Sequence, residues 1–155
     1  MTSKPLINSL RIVFYALLAG QVFFLAVTAM IHNFTPFVSF DGTFTKSMLL
    51  VCLFAAIGGI MGGKLVTRRQ LDKIEQQMPL EQKVSRWRGV FILRLAMLEA
   101  PSFMAIVGFM LTANFVFAAL SILLMAVFAT NFPTYTKISA ELNLSDNEGR
   151  VLLLM

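Results

Sequence analysis

Residues 89–112 read GVFILRLAMLEAPSFMAIVGFMLT. The run is long and apolar enough to cross a bilayer, which takes about 20 such residues. It nevertheless carries Glu99 near its middle and Pro101 two positions later. An ionised carboxylate is costly in hydrocarbon, so a mid-span acid must face other helices, neutralise itself or serve a solute path. The stretch is therefore read as a transmembrane helix with a candidate functional site inside it.

Working outward, the 155-residue chain is 57% hydrophobic and 14% charged, and its apolar residues come in long blocks rather than at amphipathic spacing. Four blocks stand out, at 10–31, 47–63, 89–111 and 115–132. The second and fourth are short enough to stand nearly upright. The expected fold is all-α: a polytopic membrane protein with four transmembrane helices in an antiparallel bundle over 1–132, a polar loop at 64–88, and a tail at 133–155 with short amphipathic helices.

Basic residues set the orientation, because cytoplasmic loops retain positive charge. Lys4 and Arg11 lie at the inner edge of the first block, Lys64, Arg68, Arg69, Lys73, Lys83, Arg86 and Arg88 lie between the second and third, and Lys137 and Arg150 follow the fourth. Only Lys46 lies in an outer loop. Both termini are expected in the cytoplasm of a cell (inner) membrane protein, and the formal charge of +5 follows from topology. No nucleic-acid partner is expected, since no recognition module accompanies these residues. The first block is too long, and too polar at Gln21, for a cleaved signal peptide. Cys52 is the only cysteine, which excludes an intrachain disulfide and a thiolate metal cluster; neither metal nor cofactor is expected.

In the first block Tyr15 and Gln21 are six residues apart and so occupy different helix faces. Counted from the inner edge, Gln21 and Glu99 both lie roughly 15 Å deep, which makes them a candidate proton or ion site; Gln21 bonded to a neighbouring carbonyl or hydroxyl is the structural alternative. The Phe-rich outer loop with Pro36 and Asp41-Gly42 is expected along the interface, with His32 as a polar cap. In the second block Ala55, Gly59 and Gly63 form a small-residue row and Gly58 with Gly62 an adjacent one, where two backbones can approach closely. Leu71, Ile74 and Met78 at helical spacing extend this helix as far as Pro79.

Arg86, Trp87, Arg88 and Arg94 are expected as interface anchors, Arg94 by reaching back to the headgroups. Arg94 and Glu99, about 140° apart on the helix, do not pair. Pro101 frees the carbonyl of Met97 and implies a kink. Asn114 is placed to cap the fourth helix. In the tail, Thr134 precedes a helix whose Ile138 and Leu142 share a face, and Ser145 to Glu148 fits a capping box before Val151 to Leu154. This tail is expected either to lie on the inner leaflet or to dock on the basic loop.

The middle hairpin, AAIGGIMGG followed by a polar loop and LRLAMLEAPSFMAIVGFML, resembles the proteolipid c-subunits of rotary ATPases. That resemblance implies an ion-binding role for Glu99. It covers less than half the chain, the loop is longer, and the flanking first and fourth helices have no counterpart. Taken whole, the chain resembles small four-helix bacterial membrane proteins, which implies a fold and no activity.

Two functions compete. One is a structural or accessory subunit of a membrane assembly, partnered by the lipid bilayer and by other membrane subunits or further copies of itself. The other is a proton or cation pathway using Glu99. An enzyme is not expected: there is no Ser-His-Asp grouping, no paired carboxylate at membrane depth and no His or Cys cluster.

Overall fold

The computed structural model describes residues 3–34, 41–74, 77–145 and 148. The described residues are helical apart from short connections: α1 (Ser3–Phe34), α2 (Gly42–Leu71), α3 (Leu80–Thr112), α4 (Phe115–Ala129) and α5 (Tyr135–Glu141). Three helices, α1, α2 and α3, are long and apolar enough to cross a membrane. At 15 residues α4 is shorter than the expected fourth block, about 22 Å at the standard rise. The outer-loop residues Pro36 and Phe37 and the tail segment Val151 to Leu154 lie outside the described residues.

α3 is the central element, packed against α2, α4 and α1, while α1 also touches α4. Two apolar clusters fill the bundle. The first joins Ile7, Leu10 and Phe14 at the start of α1 with Val84, Trp87 and Phe91 of α3, Phe128 at the end of α4, and Ile138. The second joins Cys52, Phe109 and Phe117, with Leu25 packed against it. Starts of α1 and α3 meeting the end of α4 means that α1 and α3 run parallel and α4 antiparallel to both. The end holding the first cluster also gathers Lys64, Arg68, Lys83 and Arg94, and is called the basic end below.

Local sequence explains most boundaries. Ala113 takes the left-handed conformation (φ 54°) that closes α3, and the Asn114 side chain accepts the Val116 N–H at 3.0 Å to open α4, as expected. Two boundaries differ from expectation. α2 stops at Leu71 rather than at Pro79, because the chain turns there and both Leu71 and Ile74 pack on the first cluster. α4 ends at Ala129, where Asn131 Nδ2 donates back to the Val127 carbonyl. Phe132 then leaves the helical path to pack on Phe14 and Tyr15, at centroid distances of 5.3 and 5.6 Å.

The small-residue face of α2 meets α3. A methyl group on Gly59 would overlap the Met97 carbonyl oxygen and lie 2.7 Å from Pro101 Cγ; one on Gly62 would meet the Met97 Cε at 3.0 Å, and one on Gly63 the Met97 Cβ at 3.7 Å. The carbonyl that Pro101 deprives of its helical N–H is thus covered by bare glycine backbone. Gly58 meets nothing within 4 Å, so the second expected row contributes only Gly62 to the contact. On the opposite seam Gly108 admits the Phe117 ring, which a methyl would approach to 2.6 Å.

Candidate functional site

Halfway along the bundle, between the two apolar clusters, lies a polar layer. Gln21 of α1, Ser102 of α3 and Ser121 of α4 are each fully buried. Ser121 Oγ satisfies itself on the Ala118 carbonyl at 2.8 Å. Among the described residues both polar side-chain atoms of Gln21 and the hydroxyl of Ser102 have no partner. Each such orphaned group costs about 1–3 kcal/mol. Ser102, a small residue in an apolar run, drew no attention in the sequence; its signal was lying one turn beyond Leu98 on the inward face of α3.

Glu99 sits at the same depth but on a different side. Phe24 and Phe103 contact across α1 and α3 at 5.6 Å. One turn towards the basic end, that contact brings Glu99 level with Gly20 and Gln21. Gln21 points inward, whereas Glu99 is partly exposed on the flank. The two residues of the candidate site lie level along the bundle but face different ways, and among the described residues no hydrogen bond joins them. Gly20 is open, with nothing within 4 Å of where a Cβ would stand, which leaves the flank beside Glu99 accessible. Pro101 lies within α3, its ring against Gly59.

At the basic end the structure assembles a second polar group, around Arg94. Arg94 Nη1 donates to Glu141 Oε1 at 2.9 Å, and Arg94 Nε to Thr67 Oγ1 at 3.2 Å. The other Glu141 oxygen accepts from Trp87 Nε1 at 2.7 Å. Trp87 and Arg94 are seven residues apart, two helical turns, and so share one face of α3. Lys83, one turn before Trp87 and only 2% exposed, pairs with Glu148 at 2.8 Å.

Here the expectation of headgroup anchors is corrected for two residues. Trp87 is 1% exposed and stacked on Phe91 at 5.0 Å, and Arg94 is held inside by Glu141. The physical reason is the tail: Ile138 of α5 and Leu142 just past its end are buried in the first cluster, so the tail docks on the bundle and covers that face of α3. Arg86 and Arg88 remain exposed. Arg11 lies over the rings of Phe132 and Tyr135, at 5.7 and 5.4 Å, a cation–π clamp on the start of the tail.

The capping box forms as read: the Ser145 N–H donates to Glu148 Oε2 at 3.0 Å, and the Glu148 N–H donates to Ser145 Oγ at 3.4 Å. The Lys83 ammonium, donating to the Glu148 carboxylate, and then the Ser145 N–H hold that carboxyl below its ordinary pKa. Lys137 donates to the Thr130 carbonyl at 3.0 Å. Burial first, and the Arg94 charge second, depress its pKa, with Glu141 opposing them.

Two adjoining cavities open beside Arg94 in the gap between α2 and α4. One, of about 400 Å³, includes Lys64, Thr67, Arg68 and Asp72 in its lining. The other, of about 330 Å³, is lined by Ile60, Leu98 and Val127 on its apolar side and by Lys64, Arg94 and Asn131 on its polar side. Among the described residues no three His, Cys, Asp or Glu side chains gather as a metal site would require. What the arrangement offers is cationic charge and hydrogen-bond donors over an apolar floor. No family model, curated protein or solved structure matches this chain.

Proposed function

We propose that this chain is a small integral membrane protein that acts as a structural or accessory subunit of a larger membrane assembly. In this reading α4 crosses as a fourth span beside α1, α2 and α3, and the basic end faces the cytoplasm of a cell membrane, with both termini there. Glu99 carries the reading: a mid-span carboxylate on the flank of the bundle, partly exposed, beside the open backbone of Gly20. Left against lipid, such an acid is costly. A donor from a neighbouring subunit offsets that cost, and Gly20 lets the neighbour approach.

The test is gentle extraction from the native membrane through a C-terminal tag, followed by native mass spectrometry. Stoichiometric association is expected, retained by Glu99→Gln and lost by Glu99→Leu, which cannot hydrogen-bond. A lone monomer, or association indifferent to Glu99→Leu, refutes the reading.

The second reading is a proton or cation pathway, in keeping with the resemblance of the middle hairpin to c-subunits. Its support is the orphaned interior polar pair, Gln21 and Ser102, level with Glu99. Proteoliposome flux abolished by Glu99→Gln, with assembly intact, would favour it over the accessory role.

A further inference from the structure

We infer that the gap between α2 and α4 at the basic end is a binding site for an anionic phospholipid, its phosphate headgroup held by Lys64, Arg68 and Arg94 and its acyl chain laid along Ile60, Leu98 and Val127. The inference needs only that the helices span a bilayer; it is independent of the role of Glu99.

Shape comes first. α2 and α4 each pack on α3, and where they diverge the two cavities meet at Lys64, Arg94 and Asn131, which line both. The outer cavity is polar and the inner one turns apolar towards the middle of the bundle. That is the order in which a lipid presents headgroup and tail. A soluble anion would have no use for the apolar floor.

Charge comes second. Lys64 and Arg68 project from successive turns of α2, one turn apart, and both are exposed. Arg94 spends one N–H on Glu141 and one on Thr67, and a guanidinium carries five. Its acid partner is also shared with Trp87. Among the described residues Asp72, on the outer rim, is the only other acid in the lining, and the inner cavity has cations and no acid. Lys137, bonded to the backbone of Thr130 in the inner lining, adds to the positive field; its depressed pKa reflects burial and the crowding of positive charge beside Arg94. An anionic headgroup relieves that crowding, and the Asn131 amide and Thr67 hydroxyl give it neutral partners.

The test uses the full-length protein in neutral maltoside micelles, titrated with phosphatidylglycerol, phosphatidylcholine or inorganic phosphate and followed by native mass spectrometry. One tightly held phosphatidylglycerol is expected. The double variant Lys64→Gln/Arg68→Gln should weaken it about 30-fold, from two headgroup-proximal cations. The matched pair Arg69→Gln/Arg88→Gln, outside the cavity lining, should change it by less than about twofold. Emission from Trp87, the only tryptophan, checks that each variant keeps its tail docked; should the double variant fail that check, Arg68→Gln alone should still weaken binding by about fivefold. Equal binding of phosphatidylcholine, an equal loss in the control pair, or displacement of the lipid by millimolar phosphate would each overturn the site.

Discussion

Replacing Gly59 by alanine adds one methyl group at the tightest point between α2 and α3. That methyl overlaps the Met97 carbonyl oxygen and falls 2.7 Å from Pro101 Cγ, whereas carbon atoms rest about 3.5–4.0 Å apart. Neither obstacle can rotate away, one being backbone and the other a ring closed onto backbone. The helices must separate locally by about 1 Å, and a gap of that size forfeits up to about half of each contact's attraction. Overpacking of this kind costs about 1–3 kcal/mol. The better helix propensity of alanine returns about 1 kcal/mol, leaving a net loss of about 0–2 kcal/mol. Gly58→Ala is the internal control: it gains the same propensity and meets nothing within 4 Å. Reversible unfolding of both variants by SDS titration in mixed micelles measures the difference. If the two agree within about 0.3 kcal/mol, the α2–α3 seam does not lie where the structure puts it.

Glu141→Ala removes the acceptor shared by Trp87 and Arg94. With both partners largely buried it should cost about 2 kcal/mol, below the about 3–5 kcal/mol of a fully buried pair because Glu141 is 20% exposed; Trp87 emission should shift to the red, and an unchanged spectrum and stability would dismiss the latch. Glu148 gives a pH dependence. Its carboxyl is depressed in the folded chain, so its stabilisation is complete above the ordinary glutamate value of about 4.3 and is lost as pH falls through the folded value. Proteolysis of the tail should therefore accelerate below about pH 4, and Glu148→Gln should be equally cleavable on both sides of that range. Gln21→Met replaces an orphaned buried amide by an apolar side chain of similar length and should stabilise the bundle by about 1–2 kcal/mol; destabilisation would mean that the amide is satisfied after all.

How legible this architecture is in the sequence depends on the range of the interactions. Long apolar runs give α1, α2 and α3, and the Asn114 cap and the Ser145–Glu148 box are local patterns that form as written. Gly59 and Gly63 announce a close contact, but Gly58 carries the same chemistry and faces outward, because residue type does not say which side holds the neighbour. Trp87 and Arg94 mislead for a clearer reason. A tryptophan flanked by arginines at the end of a span reads as a headgroup anchor, and the residue that takes it inside, Glu141, lies 54 positions from Trp87 and 47 from Arg94. Their seven-residue spacing, with Lys83 one turn earlier, does mark a single face, and Glu141 and Glu148 in the tail are its complement. The mid-span layer was half visible: Gln21 by its depth, but Ser102 only once its helix face is known. The α2–α4 gap belongs to tertiary packing alone, since no pattern in either helix specifies that they diverge.

The Glu141 bridge also sets an order of events in biogenesis. Translation reaches Glu141 only 47 residues after Arg94, so, if α3 spans a bilayer as proposed, it would enter with that guanidinium uncompensated and available as a topological signal. Glu141, made after α3, then neutralises it and closes Trp87 from solvent. One side chain thus serves twice in succession, first as a charge that orients a nascent helix and then as a strut in the finished protein. A chain truncated before α5 would be left with a bare indole and an unpaired cation at its basic end.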